Sequence, residues 1–133
     1  MTPFLRPLAV AGIAALVPFA SAVAADWSQA EVIRVLAAEN VFIPSTFVFR
    51  KGFAYRLHIE NHGKELHQFT SPEFFRAVKM DNPTVLNAER TEIDVQPGEQ
   101  KDLLFIAETP GSFKLICPDH DWAGMVGNIA IVP

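Results

Sequence analysis

Residues 117–125 bring together a thiol, an imidazole and a thioether in the stretch Cys117-Pro118-Asp119-His120-Asp121-Trp122-Ala123-Gly124-Met125. The spacing is C-x2-H-x4-M. A second imidazole, His67, lies far upstream. One thiolate, two imidazoles and a weak axial thioether are the ligand set of a type 1 copper electron-transfer site. Imidazoles suit either oxidation state of copper, and a soft thiolate adds covalency. On this reading Cys117 supplies the thiolate, His67 and His120 the imidazoles, and Met125 the long axial sulfur. Four protein ligands leave no open position for a substrate, so the expectation is a carrier rather than an enzyme. A nucleophilic Cys117–His120 pair would leave His67 and Met125 without a role.

These residues need particular elements to hold them. The apolar runs 113–116 and 129–132 flank the loop, so it reads as a tight connection between two final strands. Pro118 biases Cys117 toward an extended backbone, and Gly124 and Gly127 let the chain turn back. Trp122, Ala123 and Pro118 give the loop an apolar rim. Upstream, Phe53, Tyr55, Leu57 and Ile59 alternate with Ala54, Arg56, His58 and Glu60. That period of two marks a strand with its aromatic and aliphatic set facing the core and His58 outside. The polar stretch 61–65 then reads as a loop, with His62 solvated. His67 follows between Leu66 and Phe69, where the chain re-enters the core.

The ligand spacing, together with a Pro-Gly, strand, Pro-Gly, strand, Cys approach through Pro97-Gly98 and Pro110-Gly111, resembles the cupredoxin family. The loop is similar to that of plastocyanin and pseudoazurin, and the resemblance covers roughly residues 39–133. It implies an all-β Greek-key β-sandwich with one copper ion on His67, Cys117, His120 and Met125. It also implies that His120 shows its ring edge through the apolar rim as the electron port. Many members carry Asn directly after the upstream His, bracing the ligand loops; this chain has Gln68. Asp119 and Asp121 flank His120. They are read as solvated loop residues, the alternative being that they dock a basic partner and lower the potential.

The remaining chain supplies the other strands. Residues 31–38 form a first strand after a short tether at 26–30, and 41–43 and 46–49 are strand pieces broken at Pro44-Ser45. Residues 71–80 read as a short helix within an insertion at 71–90. Ser71 is its cap, Pro72 its first position, and Phe74, Phe75 and Val78 its apolar face, with Met80 packing beneath. Residues 91–95 and 100–107 are further strands joined by a turn at 96–99.

Bulk properties set the setting. Residues 1–25 read as a cleaved signal peptide: Arg6, an apolar run over 8–19, then Ser21-Ala22-Val23-Ala24-Ala25, with cleavage after Ala24 or Ala25. Residues 26–133 are then one domain, exported to the periplasm without stable membrane insertion. Arg6 is the one charged residue removed, leaving ten Lys and Arg against fifteen Asp and Glu, a formal charge of −5. That balance excludes nucleic acid and anionic lipid as partners. It suits a basic redox partner, such as a cytochrome or a copper oxidase, and a monomer is expected. A lone Cys in an oxidising compartment forms no internal disulfide, consistent with a thiol committed to metal. Copper tolerance or delivery is the alternative function. With 3 Met and 4 His, scattered, the chain lacks the Met- or His-rich tracts of many trafficking proteins. A third reading is an open, red-type site with Glu65 in place of Met125.

Overall fold

Side-chain alternation decides most of the architecture. In the computed structural model, which describes residues 24–133, Ala54–Asn61 is a strand that buries every second residue. Tyr55, Leu57 and Ile59 face the core, as a strand with period two requires. Asn61 continues that inward face and is fully buried. The signal-peptide stretch 1–25 lies outside the described residues except for Ala24 and Ala25.

In chain order the described strands are β1 (Glu31–Ala38), β2 (Val41–Ile43), β3 (Thr46–Arg50), β4 (Ala54–Asn61), β5 (His67–Thr70), β6 (Val78–Met80), β7 (Glu92–Val95), β8 (Gln100–Ala107), β9 (Gly111–Ile116) and β10 (Val126–Val132). One helix, α1 (Pro72–Arg76), lies between β5 and β6. The strands form two five-stranded sheets, ordered β2-β1-β4-β8-β6 and β3-β10-β9-β5-β7. β1 runs parallel to β4, and β3 parallel to β10; the other pairings are antiparallel. Pro44-Ser45 carries the chain from β2 in one sheet to β3 in the other, which is why the apolar run is broken there. The result is the expected all-β sandwich.

The two inner faces meet over an aromatic core. Phe49 packs edge-on against Tyr55 and Phe105, with centroids 4.8 and 5.1 Å away, and stacks on Phe74 at 5.6 Å. Burying each such ring contributes about 1.5–3 kcal/mol, so this cluster holds the sheets together. The Tyr55 hydroxyl accepts the Arg50 N–H at 2.8 Å, which satisfies its polar end at the core edge.

Three local expectations change. The helix ends at Arg76, and Val78 and Met80 instead form β6, which pairs with β8. The insertion at 71–90 thus adds an edge strand, and Met80 packs from that strand. Pro72 does occupy the first turn of α1, but Ser71 does not cap it. Its hydroxyl donates to the Lys114 carbonyl at 2.7 Å, tying the segment to β9 instead. Phe53 precedes β4 and is exposed, since the strand has not yet begun to alternate. The tether at 26–30 holds a single 3-10 turn, Trp27–Gln29, capped by the Asp26 side chain.

Candidate metal centre

Two strand pairings assemble the site. β9 and β10 form an antiparallel hairpin whose last pair is Ile116–Val126, so 117–125 is the hairpin loop. It is closed by the Cys117 N–H, which donates to the Met125 carbonyl at 3.0 Å. β5 lies on the other side of β9, with Thr70 opposite Ile116. The start of β5, His67, therefore comes close to Cys117, just past the end of β9. Inside the loop, His120 N–H donates to the Cys117 carbonyl at 3.0 Å, and a 3-10 turn (Asp121–Ala123) ends at Gly124 with φ +91°. That left-handed conformation is one glycine adopts without a Cβ clash.

Gly127 serves a different purpose from the one its loop position implies. It lies in β10, and a Cβ there would stand 2.3 Å from the Ser45 carbonyl oxygen. Its absent side chain lets the bend at 44–45 close onto the ligand hairpin.

Three donor atoms converge. Cys117 Sγ lies 3.9 Å from His67 Nδ1 and 3.4 Å from His120 Nδ1. All three ligand atoms lie within 4.8 Å of one another. Metal bonds of about 2.0 Å to nitrogen and 2.3 Å to sulfur, opened near 120°, would span about 3.7 Å. The two sulfur-to-nitrogen edges, at 3.9 and 3.4 Å, bracket that span, and a soft sulfur with two imidazoles suits copper. Cys117 is fully buried, and His67 and His120 are nearly so. Met125 is fully buried at the far end of the same loop, and its N–H donates to the His120 carbonyl at 3.2 Å.

The electrostatics favour ligation by neutral imidazole. Burial, reinforced by the neighbouring His120, pushes the His67 pKa down, so its ring keeps a free lone pair at neutral pH. Burial pushes the Cys117 thiol up, although the N–H groups of Gln68, Asp119 and His120 oppose it. The metal-free site thus holds a protonated thiol, and metal binding must release that proton.

The other histidines stand apart. His58 is on the outer face of β4, between Asp102 at 2.9 Å and Glu60 at 2.8 Å. It is more enclosed than a simple surface residue because these two carboxylates flank it. His62 is exposed and contacts the same Glu60 at 2.8 Å.

Four residues outside the candidate donors shape the site. Asn61 donates to the carbonyls of Glu65 and Val95, both at 2.8 Å, and accepts the Gly63 N–H at 2.8 Å. It braces the segment 62–66, while Gln68 turns to the sulfur instead, its N–H 3.4 Å and its Oε1 3.7 Å from Sγ. Gly63 packs on the His67 ring, for a Cβ would sit 2.8 Å from Nε2. Glu65 Oε2 lies 2.6 Å from His120 Nε2. It is therefore on the opposite ring edge from the nitrogen facing Cys117, and its carboxylate does not join the donor triangle. The sequence signal for Asn61 is its place in step with Tyr55, Leu57 and Ile59: a polar residue at a core position. The expected exposed edge of His120 is not found, because Glu65 covers it. The large apolar side chain this loop exposes is Trp122, whose indole N–H donates to the Asp119 carbonyl at 2.9 Å.

The cupredoxin-like domain family matches residues 10–131 of the chain. Solved structures agree on the fold. Auracyanin B is similar with a TM-score of 0.58 and 20% identity, over 78% of this chain and 90% of that one. Reduced auracyanin from the photosynthetic bacterium Roseiflexus castenholzii gives 0.59 and 22% identity, over 78% and 98%. The McoA multicopper oxidase of the hyperthermophile Aquifex aeolicus gives 0.60 and 16% identity, over 84% of this chain but 31% of that one. No curated protein matches the sequence.

Proposed function

Since the chain belongs to the cupredoxin-like domain family, we propose that it is an exported type 1 copper protein that carries electrons between partner proteins in the periplasm. One observation carries this reading: two imidazole Nδ1 atoms and a thiol sulfur converge in one buried cluster, all within 4.8 Å of one another. His67, Cys117 and His120 would hold the ion, with the Met125 thioether as a weaker fourth donor. Copper would supply a one-electron couple there. The chain's part is to hold the donors still and keep them dry. The Cys117–Met125 backbone bond closes the loop, and Gln68 N–H directs the sulfur.

Burial also favours carrying electrons over handing on metal. Copper delivery by ligand exchange requires an acceptor to reach the donors, and Cys117 and Met125 have no exposed surface. Electrons need only a short, well-packed path. The exposed Trp122 offers apolar contact for a transient partner, and Glu65, Asp119 and Asp121 surround the site with negative charge. A basic cytochrome or copper oxidase would suit that surface, met by a monomeric carrier.

The visible and EPR spectra of the copper-loaded domain, residues 26–133, test the assignment. Intense thiolate-to-copper charge transfer with a narrow copper hyperfine splitting is expected, and Cys117→Ser should abolish the colour. Cu(II) binding without that band would refute the type 1 site.

A further inference from the structure

The segment between β4 and β5 covers the outer edges of both imidazoles. Gly63 lies against the His67 ring so closely that a Cβ would come within 2.8 Å of Nε2. Two residues on, Glu65 places Oε2 2.6 Å from His120 Nε2. The segment is not a loose surface loop, because buried Asn61 grips it at the Gly63 N–H and the Glu65 carbonyl. The Glu65 side chain itself is mostly exposed, at 73%, while that of His120 is 10% exposed. An exposed carboxylate has abundant water to bind, so its place on the ring edge is set by the braced backbone beneath it.

We propose that Glu65 is a positioning residue for the metal centre: its carboxylate takes the Nε2–H of His120 and thereby fixes the ring with Nδ1 as the lone-pair donor beside Cys117. The two ring nitrogens are not equivalent, and the partner of one selects what the other can do. A carboxylate on the outer nitrogen holds the ring's orientation and raises the basicity of the inner one. Its negative charge, one ring away, favours the more highly charged oxidised metal. It also closes the His120 edge to water, so a partner meets this carboxylate and the Trp122 indole rather than a bare imidazole. This role rests on the copper reading above, but the hydrogen bond exists in the metal-free protein and can be tested there.

The test uses the metal-free and copper-loaded domain, with Glu65→Ala removing the acceptor and Glu65→Gln keeping an acceptor without charge. Long-range proton–nitrogen NMR of the metal-free wild type should show His120 as the Nε2–H tautomer with a proton protected from exchange. Glu65→Gln should keep that protection and Glu65→Ala should lose it. Cu(II) competition titrations should then show roughly a tenfold to hundredfold loss of affinity in Glu65→Ala, largely restored in Glu65→Gln. Both variants should have a higher reduction potential, since both lack the charge. A rapidly exchanging Nε2 proton in the wild type, or equal copper affinity in wild type and Glu65→Ala, would overturn the proposal. A protected proton in a wild type that takes up no copper would refute the copper reading itself, and the positioning role with it.

Discussion

The backbone N–H of Gln68 points at the sulfur of Cys117 across 3.4 Å. It joins the residue after His67 to the thiol just past the end of β9. A donor aimed at sulfur stabilises thiolate over thiol and limits its motion. The contact exists because β5 and β9 are neighbours, so the sheet itself sets the sulfur's direction.

Asn61 should matter for both folding and metal retention. Asn61→Ala leaves the Glu65 and Val95 carbonyls and the Gly63 N–H without their partner. A loss of about 3 kcal/mol in urea unfolding of the metal-free domain is expected. Copper affinity should fall as well, because the segment over both imidazoles is released. Unchanged stability with unchanged affinity would show that the brace is unimportant.

Two glycines should respond differently to alanine. At Gly127 the new Cβ would meet the Ser45 carbonyl at 2.3 Å, backbone against backbone, and a destabilisation of about 2–3 kcal/mol is expected. At Gly63 it would meet the His67 ring at 2.8 Å. The ring is the softer neighbour, so Gly63→Ala should shift His67 and alter the copper spectrum with a smaller loss of stability. Denaturation and absorption spectra of both variants check this ordering.

Met125 should tune the site rather than hold the metal. Met125→Leu should retain copper, since three stronger donors remain, and should raise the potential because losing a donor harms Cu(II) more than Cu(I). Met125→Gln should lower it, since an amide oxygen is harder. Equal potentials in voltammetry would place Met125 outside the coordination sphere.

His58 should make an opposite-signed contribution to pH dependence from His67. Its pKa is raised above 6.5, first by the hydrogen bond to Glu60 and further by Asp102, against the opposing effect of burial. A group that binds its proton more tightly when folded stabilises the fold fully below its unfolded pKa. That contribution fades as pH rises through the folded value. The stability of wild type minus that of His58→Gln should therefore be greatest below pH 6.5 and shrink under more alkaline conditions. Arg34 lies opposite on β1 and His62 shares Glu60, so both are retained in the comparison. A difference that grows with pH would contradict the assignment.

Part of the candidate site is legible in the sequence because its loop donors are close in the chain. C-x2-H-x4-M singles out Cys117, His120 and Met125 as candidates without reference to the rest of the fold, and the alternation over 53–60 indicates which side of β4 faces inward, Phe53 excepted. Local context separates His62, in a polar loop, from His67, between Leu66 and Phe69, but it does not say what the His67 ring reaches. That was decided by β5 pairing beside β9, a contact between segments 50 residues apart. The same holds for Glu65. Periodicity reports which face a side chain takes, but not which loop comes to rest over which ring. That depends on how two sheets stack and where Asn61 anchors the chain between them, so the carboxylate on His120 exists only in the folded protein.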